Sequence, residues 1–153
     1  MAVEAFWQAY CATRTDHAVC RQESYDAWSF GDNERMADTL GQLVLGATKT
    51  ATAGLIWEDE HFGWRTPAVG DKTIILDGAG RPLCMIETTA ADIVPFNAVD
   101  AVFARLEGEG FETVNDWRQA HWQYFVRRCQ EIGREPDEEM PVLCHQFRVV
   151  YPR

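Results

Sequence analysis

DKTIILDGAGRPLCMIETT, residues 71–89, decides the fold. Two short apolar runs rich in β-branched residues flank a DGAG turn, the pattern of a hairpin. TATAGLIW, residues 50–57, has the same character, and ADIVPF, residues 91–96, continues the β reading as far as Pro95. The tail MPVLCHQFRVVY, residues 140–151, puts Leu143, His145, Phe147, Val149 and Tyr151 on one side, as a sheet strand does.

Around this β material lie helical patterns. Residues 1–13 carry Phe6, Tyr10 and Thr13 on one stripe, with Trp7 and Cys11 beside it. A second helix begins with Asp32 as its predicted cap. It runs through Met36, Leu40, Leu43 and Val44 and stops at Gly46. VDAVFARLEGEG, residues 99–110, is helical until Gly108 and Gly110 break it. In residues 113–133 Thr113 and Asp116 make a near capping box, Trp117, His121, Tyr124, Phe125 and Arg128 share a face, and Gly133 ends the run. Helices do not alternate with every strand, so a doubly wound parallel sheet is not expected. The pattern predicts an α+β fold: a curved mixed or antiparallel sheet, or a small β-barrel, with flanking helices.

The bulk properties narrow the function. A chain of 153 residues fits one domain and buries roughly 70% of its unfolded surface. No stretch approaches a membrane span, and the opening MAVEAFWQAYCATRTD lacks the basic leader of a signal peptide, so a cytoplasmic location is expected. Five scattered cysteines and four scattered histidines show no metal-ligand spacing. Reduced, packed thiols are therefore expected, with no disulfide framework, metal or other cofactor. A net charge of −10 repels long polyanions, which disfavours RNA and suits a small, weakly charged ligand.

One residue choice stands out. Only Lys49 and Lys72 are lysines, against twelve arginines, and Lys49 sits in GATKTATAG, residues 46–54. Lysine is compact and can give up its proton when desolvated; arginine cannot. On a regular strand Lys49 and Thr52 would point apart. They converge only if Lys49 lies in the turn between helix and strand.

LVLGATKTATAGLIWEDE, VGDKTIILDGAGRPLCMIETTAADIVPF, FARLEGEG, WRQAHWQYF and MPVLCHQFRVVY, in this order, resemble the ASCH-domain family in its longer bacterial branch, and AWSFGD, residues 27–32, fits it too. The likeness runs from about Tyr25 to Tyr151. It divides the chain into an ASCH domain over 25–153 and a helical extension over 1–24. The resemblance implies a PUA-like β-barrel and a cleft around the Lys-x-x-Thr segment. Family members are linked to RNA binding, ribonuclease action and hydrolysis of the amide of N4-acylated cytidines. In the amidohydrolases a lysine, a threonine and a glutamate act, at positions matching Lys49, Thr52 and Glu107. Where the family usually reads Gly-x-Lys, Ala47 fills the glycine slot and Gly46 stands one place earlier. Thr48 and Gly54 stand where cations are common in the family, which weakens phosphate binding.

The expected chemistry is amide hydrolysis. Thr52 supplies a hydroxyl or positions a water, Lys49 activates it or stabilises the oxyanion, and Glu107 shuttles the proton. Trp28, Trp57 and Trp64 are candidate stacking surfaces for a base. The alternatives are a ribonuclease, with or without a divalent metal, and a non-catalytic module binding RNA or a modified nucleoside.

Overall fold

The computed structural model describes residues 2–152. Its helices are α1 (Val3–Ala12), α2 (His17–Cys20), α3 (Glu34–Leu45), α4 (Ile56–Phe62), α5 (Ala101–Leu106) and α6 (Val114–Ile132). Its strands are β1 (Asp26–Trp28), β2 (Ala51–Leu55), β3 (Lys72–Leu76), β4 (Pro82–Pro95) and β5 (Pro141–Tyr151), with a 3-10 turn at Phe96–Ala98. The strands form one curled sheet in the order β1-β3-β4-β5-β2. β1 runs parallel to β3 and every other pairing is antiparallel, so the sheet is mixed, as expected.

β4 is the spine. Its 14 residues pair with β3 through the DGAG hairpin and with β5 as far as Pro95. A register shift between Thr88 and Ala90 sharpens the local twist and helps curl the sheet. Neighbouring residues of β3 and β4 enter different cores. Ile74 and Met85 pack with Phe6, Trp7 and Tyr10 beneath α1, whereas Ile75, Cys84 and Ile86 pack with Phe30 and Val44 beneath α3. Burial on both faces explains why these strands read as continuous apolar runs. A third core joins Ala51, Leu55, Val142 and Cys144 to Phe103, Trp117 and Phe125 of α5 and α6.

Local signals placed most of the helices. α6 carries the full capping box, with Thr113 accepting from Asp116 N and Asp116 accepting from Thr113 N, and Gly133 ends it in the left-handed region. At α3 the expected cap moves by one residue. Asn33 accepts from Met36 N at 2.9 Å, while Asp32 accepts from Arg127 Nε of α6 at 3.1 Å. Two further expectations are corrected. The β character expected over residues 50–57 ends at Leu55, and Ile56–Phe62 is helical, because Ile56 and Trp57 turn inward and Gly63 supplies a left-handed stop. Reduced thiols hold for the buried Cys84, Cys129 and Cys144. Cys11 and Cys20 are instead a disulfide, because the turn between α1 and α2 brings their Cα atoms to 5.5 Å. No helix is long and apolar enough to cross a membrane among the described residues.

The turn after α3 prepares the site. The amides of Thr48 and Lys49 both donate to the Leu43 carbonyl, at 2.9 and 3.0 Å. Thr50 is pinned to Leu106 at the end of α5 through its amide and its hydroxyl, at 2.9 and 3.1 Å. Ala47 takes a left-handed φ of 60°, a conformation that strains a residue with a Cβ. Gly108, at φ 64°, lies so close to the Thr48 carbonyl and the Lys49 amide that any Cβ would collide with them. Relief of about 1–2 kcal/mol of left-handed strain, less about 0.5–1 kcal/mol for the freer unfolded glycine, predicts that Ala47→Gly stabilises modestly. Gly108→Ala should cost about 3–5 kcal/mol, combining strain with overpacking, whereas Gly110→Ala, at φ 87° but facing open space, should cost only about 1–2 kcal/mol. Urea midpoints of the three variants measure the ranking, and equal losses at both glycines would refute the close approach.

Candidate active site

The buried anion at the centre of the site is Glu107, which follows the last turn of α5 and is 1% exposed. Trp117 Nε1–H donates to its Oε1 at 3.1 Å. Its Oε2 lies 3.1 Å from His121 Nε2 and 3.6 Å from Lys49 Nζ. His121 is stacked on the Trp117 ring at 4.1 Å, and its Nδ1 sits 3.0 Å from the Trp117 carbonyl. The i, i+4 spacing on α6 produces this pair, and the capping box fixes where the helix begins.

Lys49 is also 1% exposed. It lies in the helix-to-strand turn, the condition for meeting Thr52, and both side chains line one cavity of about 150 Å³. Lys49 Nζ donates to Glu109 Oε2 at 2.8 Å and lies 5.6 Å from the centre of the Phe30 ring. Glu107, Glu109 and His121 line the same cavity. Lys49, Thr52 and Glu107 are thus brought together.

The two carboxyls are driven apart in acidity. Burial pushes Glu107 up, but the His121 hydrogen bond and the Lys49 charge outweigh it and hold the group down at about 2. For Glu109 burial is again the largest influence and raises the carboxyl. Lys49 opposes that rise, the neighbouring Glu107 adds to it, and the net shift is upward. One ligand atom each of Glu107, Glu109 and His121 lies within 4.8 Å of the others, a donor set of the kind that can hold a cation. The Lys49 ammonium already lies against both carboxylates and supplies the positive charge they face.

A larger groove of about 720 Å³ adjoins the small cavity, and Phe30, Thr52, Ala53 and Tyr124 line both. Trp28 and Trp64 line this groove; Trp64 is 55% exposed and stacked on Phe62 at 4.5 Å. Trp57 lines neither cavity. It packs on the α6 side of the sheet under the Arg134 guanidinium, 3.8 Å from the ring centre, because α4 turns it inward, so it is withdrawn as a base-stacking surface. Every cation lining the two cavities already has a carboxylate partner. Lys49 has Glu107 and Glu109, Arg65 has Asp26 and Asp71, Arg127 has Asp32, and Arg128 has Glu58.

His145 pairs with Thr52 across β5 and β2, lines the larger groove, and places Nε2 2.7 Å from Thr88 Oγ1. Burial, with Lys49 adding to it, pushes the imidazole down to about 4.

On the sequence alone Glu109 is not singled out, and His121 reads only as one residue of a helix face. The signal that could have found them is the EGEG spacing: glycines at 108 and 110, both left-handed, turn two nearby glutamates toward one lysine. Trp117 and His121, one helical turn apart, complete the wall.

The ASCH-domain family model matches residues 26–151. Two solved structures are similar over nearly the whole chain. One is an ASCH domain from Lactobacillus crispatus JV V101, 31% identical with a TM-score of 0.88, covering 97% of this chain and 94% of that one. The other is protein EF3133 from Enterococcus faecalis V583, assigned to DUF984, 33% identical with a TM-score of 0.87, covering 97% of this chain and 87% of that one. No protein with a curated description matches.

The neutral imidazole of His145 makes a prediction. Its folded pKa lies below its unfolded value, so its contribution to stability is complete above about pH 6.5 and is lost as the pH falls through 4. The loss should be on the order of 3 kcal/mol in the wild type and absent in His145→Gln. Urea unfolding between pH 7.5 and 4 measures it, and identical slopes for the two proteins would refute it.

Proposed function

The chain belongs to the ASCH-domain family, and from that membership and the site geometry we propose that it hydrolyses the exocyclic amide of an N4-acylated cytosine nucleoside. The observation that carries this reading is the meeting of Lys49, Thr52 and a carboxylate pair around one small cavity that opens beside an aromatic groove. Thr52 lines both spaces, so the scissile carbonyl belongs next to it. The small cavity then takes a short acyl group, and the larger groove takes the base and sugar, with Trp28 and Trp64 as stacking surfaces.

The chemistry follows from the contacts. Lys49, ion-paired with two carboxylates, enters as an ammonium and stabilises the oxyanion as the carbonyl is attacked. Thr52 supplies the attacking hydroxyl. The buried Glu107 holds Lys49 and His121 in place, and a carboxylate of this pair moves the proton to the leaving nitrogen. With its cations all paired and carboxylates in excess, the lining favours an uncharged ligand over an anion. A phosphodiester would meet no unpaired cation among the described residues of these walls, which is why a nucleoside is preferred here to RNA.

Incubation with N4-acetylcytidine should yield cytidine and acetate, followed by chromatography. Absence of cytidine would sink the reading, and chelator-sensitive loss of RNA would favour a ribonuclease instead. Lys49→Arg should lower turnover by about 10²–10³-fold, the loss expected for an oxyanion donor. Full turnover by that variant would remove the lysine from the scheme. Raising the salt should leave KM nearly flat, where phosphate recognition would make it rise steeply.

A further inference from the structure

We propose that Glu109, rather than Glu107, is the catalytic residue that carries the proton from the attacking hydroxyl to the leaving nitrogen. This rests on the amidohydrolase reading and adds to it a residue that the family pattern does not assign.

The two carboxylates have different freedom. Glu107 is sealed, with its Oε1 accepting from the Trp117 indole and its Oε2 shared between His121 and Lys49. A proton placed on it would break the buried ion pair, and although Glu107 borders the cavity it is only 1% exposed. Glu109 has a side chain 21% exposed at the wall of the cavity. Among the described residues the one hydrogen bond donated to it comes from Lys49 Nζ. It is held between Gly108 and Gly110, and Gly110 faces open space. The charged and titratable groups around it are Lys49 from the turn before β2, Glu107 from its own turn, and His121 and Arg127 from α6, the last already paired with Asp32. Burial and the nearby Glu107 carboxylate outweigh Lys49 and raise its carboxyl above the ordinary value.

The step balances without an outside reagent. The Glu109 carboxylate takes the Thr52 hydroxyl proton as Oγ1 bonds to the acyl carbon, and the carbonyl electron pair moves to the oxygen beside Lys49. As the intermediate collapses, the C–N bond breaks. Its electron pair leaves with N4, and Glu109 returns the proton to that nitrogen. The acyl group remains as an ester on Thr52. A water molecule then attacks the ester, giving a proton to Glu109. The C–Oγ bond breaks, and Thr52 recovers the proton. One water is consumed, and an amine and a carboxylic acid are formed.

The test is a pH profile of kcat and kcat/KM on N4-acetylcytidine for the full chain and the variants Glu109→Gln, Glu109→Asp and Glu107→Gln, with thermal melts to confirm folding. The wild type should lose activity as the pH falls through a limb lying above the ordinary carboxylate range. Glu109→Gln should lose about 10²–10⁴-fold in kcat, abolish that limb and change KM little, and Glu109→Asp should restore the limb. Glu107→Gln should also lower kcat, by releasing Lys49, but should keep the limb in its residual activity. A folded Glu109→Gln that retains wild-type kcat and the limb overturns the assignment while leaving the amidohydrolase reading intact. A wild type that releases no cytidine overturns both.

Discussion

The structure is organised around a lysine and a glutamate that have both been taken out of water. Lys49 and Glu107 are each 1% exposed and lie 3.6 Å apart. Desolvating two charges costs several kcal/mol per ion, and attraction alone offsets that only when further hydrogen bonds complete the geometry. Here they do. The Trp117 indole and His121 serve Glu107, and Glu109 serves Lys49. These groups come from three separate segments, so the ion pair can form only when the α3–β2 turn, the end of α5 and the first turns of α6 are all in register.

That requirement explains features that look unrelated locally. Gly108 is bare because the Thr48 carbonyl occupies the space of its side chain. The hydroxyl of Thr50 binds the end of α5 instead of another strand residue, which ties the lysine-bearing turn to the glutamate-bearing one. The capping box of α6 fixes the rotation at which Trp117 and His121 face inward. The curl of the sheet then leaves a hollow beside β2 and β5 that its own side chains do not fill. The acidic surplus of the chain reaches into that hollow as partners for its cations. Its carboxylates outnumber its cations, so among the described residues it offers an anion no unpaired positive charge.

Legibility in the sequence followed the range of the interactions. The 71–89 hairpin, the α6 cap and the Gly133 stop depend on residues close together in the chain, and their signals could be read directly. β1 was not foreseen because three residues on a parallel edge carry no period of their own; Trp28 is placed by its neighbour β3. α4 was missed because seven residues give too short a stripe to separate a helix from a polar loop. The Cys11–Cys20 bond was missed because scattered cysteines say nothing of which helices will meet. In the candidate site, Lys49, Thr52 and Glu107, which line one cavity, were named by the family pattern. Glu109 and His121 were not, because an acidic turn and a helical histidine look like surface until the fold closes over them.

The scarcity of lysine in this chain has a physical reading in the geometry. Nζ must approach one carboxylate oxygen at 2.8 Å and another at 3.6 Å, beside the Phe30 ring, in a space of about 150 Å³ that also admits Thr52. An ammonium is a compact charge whose three donors can serve convergent acceptors and still leave one for an incoming oxygen. A guanidinium would spread its charge across a planar fork, pair with one carboxylate face-on and fill much of the small cavity. Arginine suits the other cations of this lining, which need only be neutralised at the walls. At position 49 the charge has to sit at a point where two carboxylates converge.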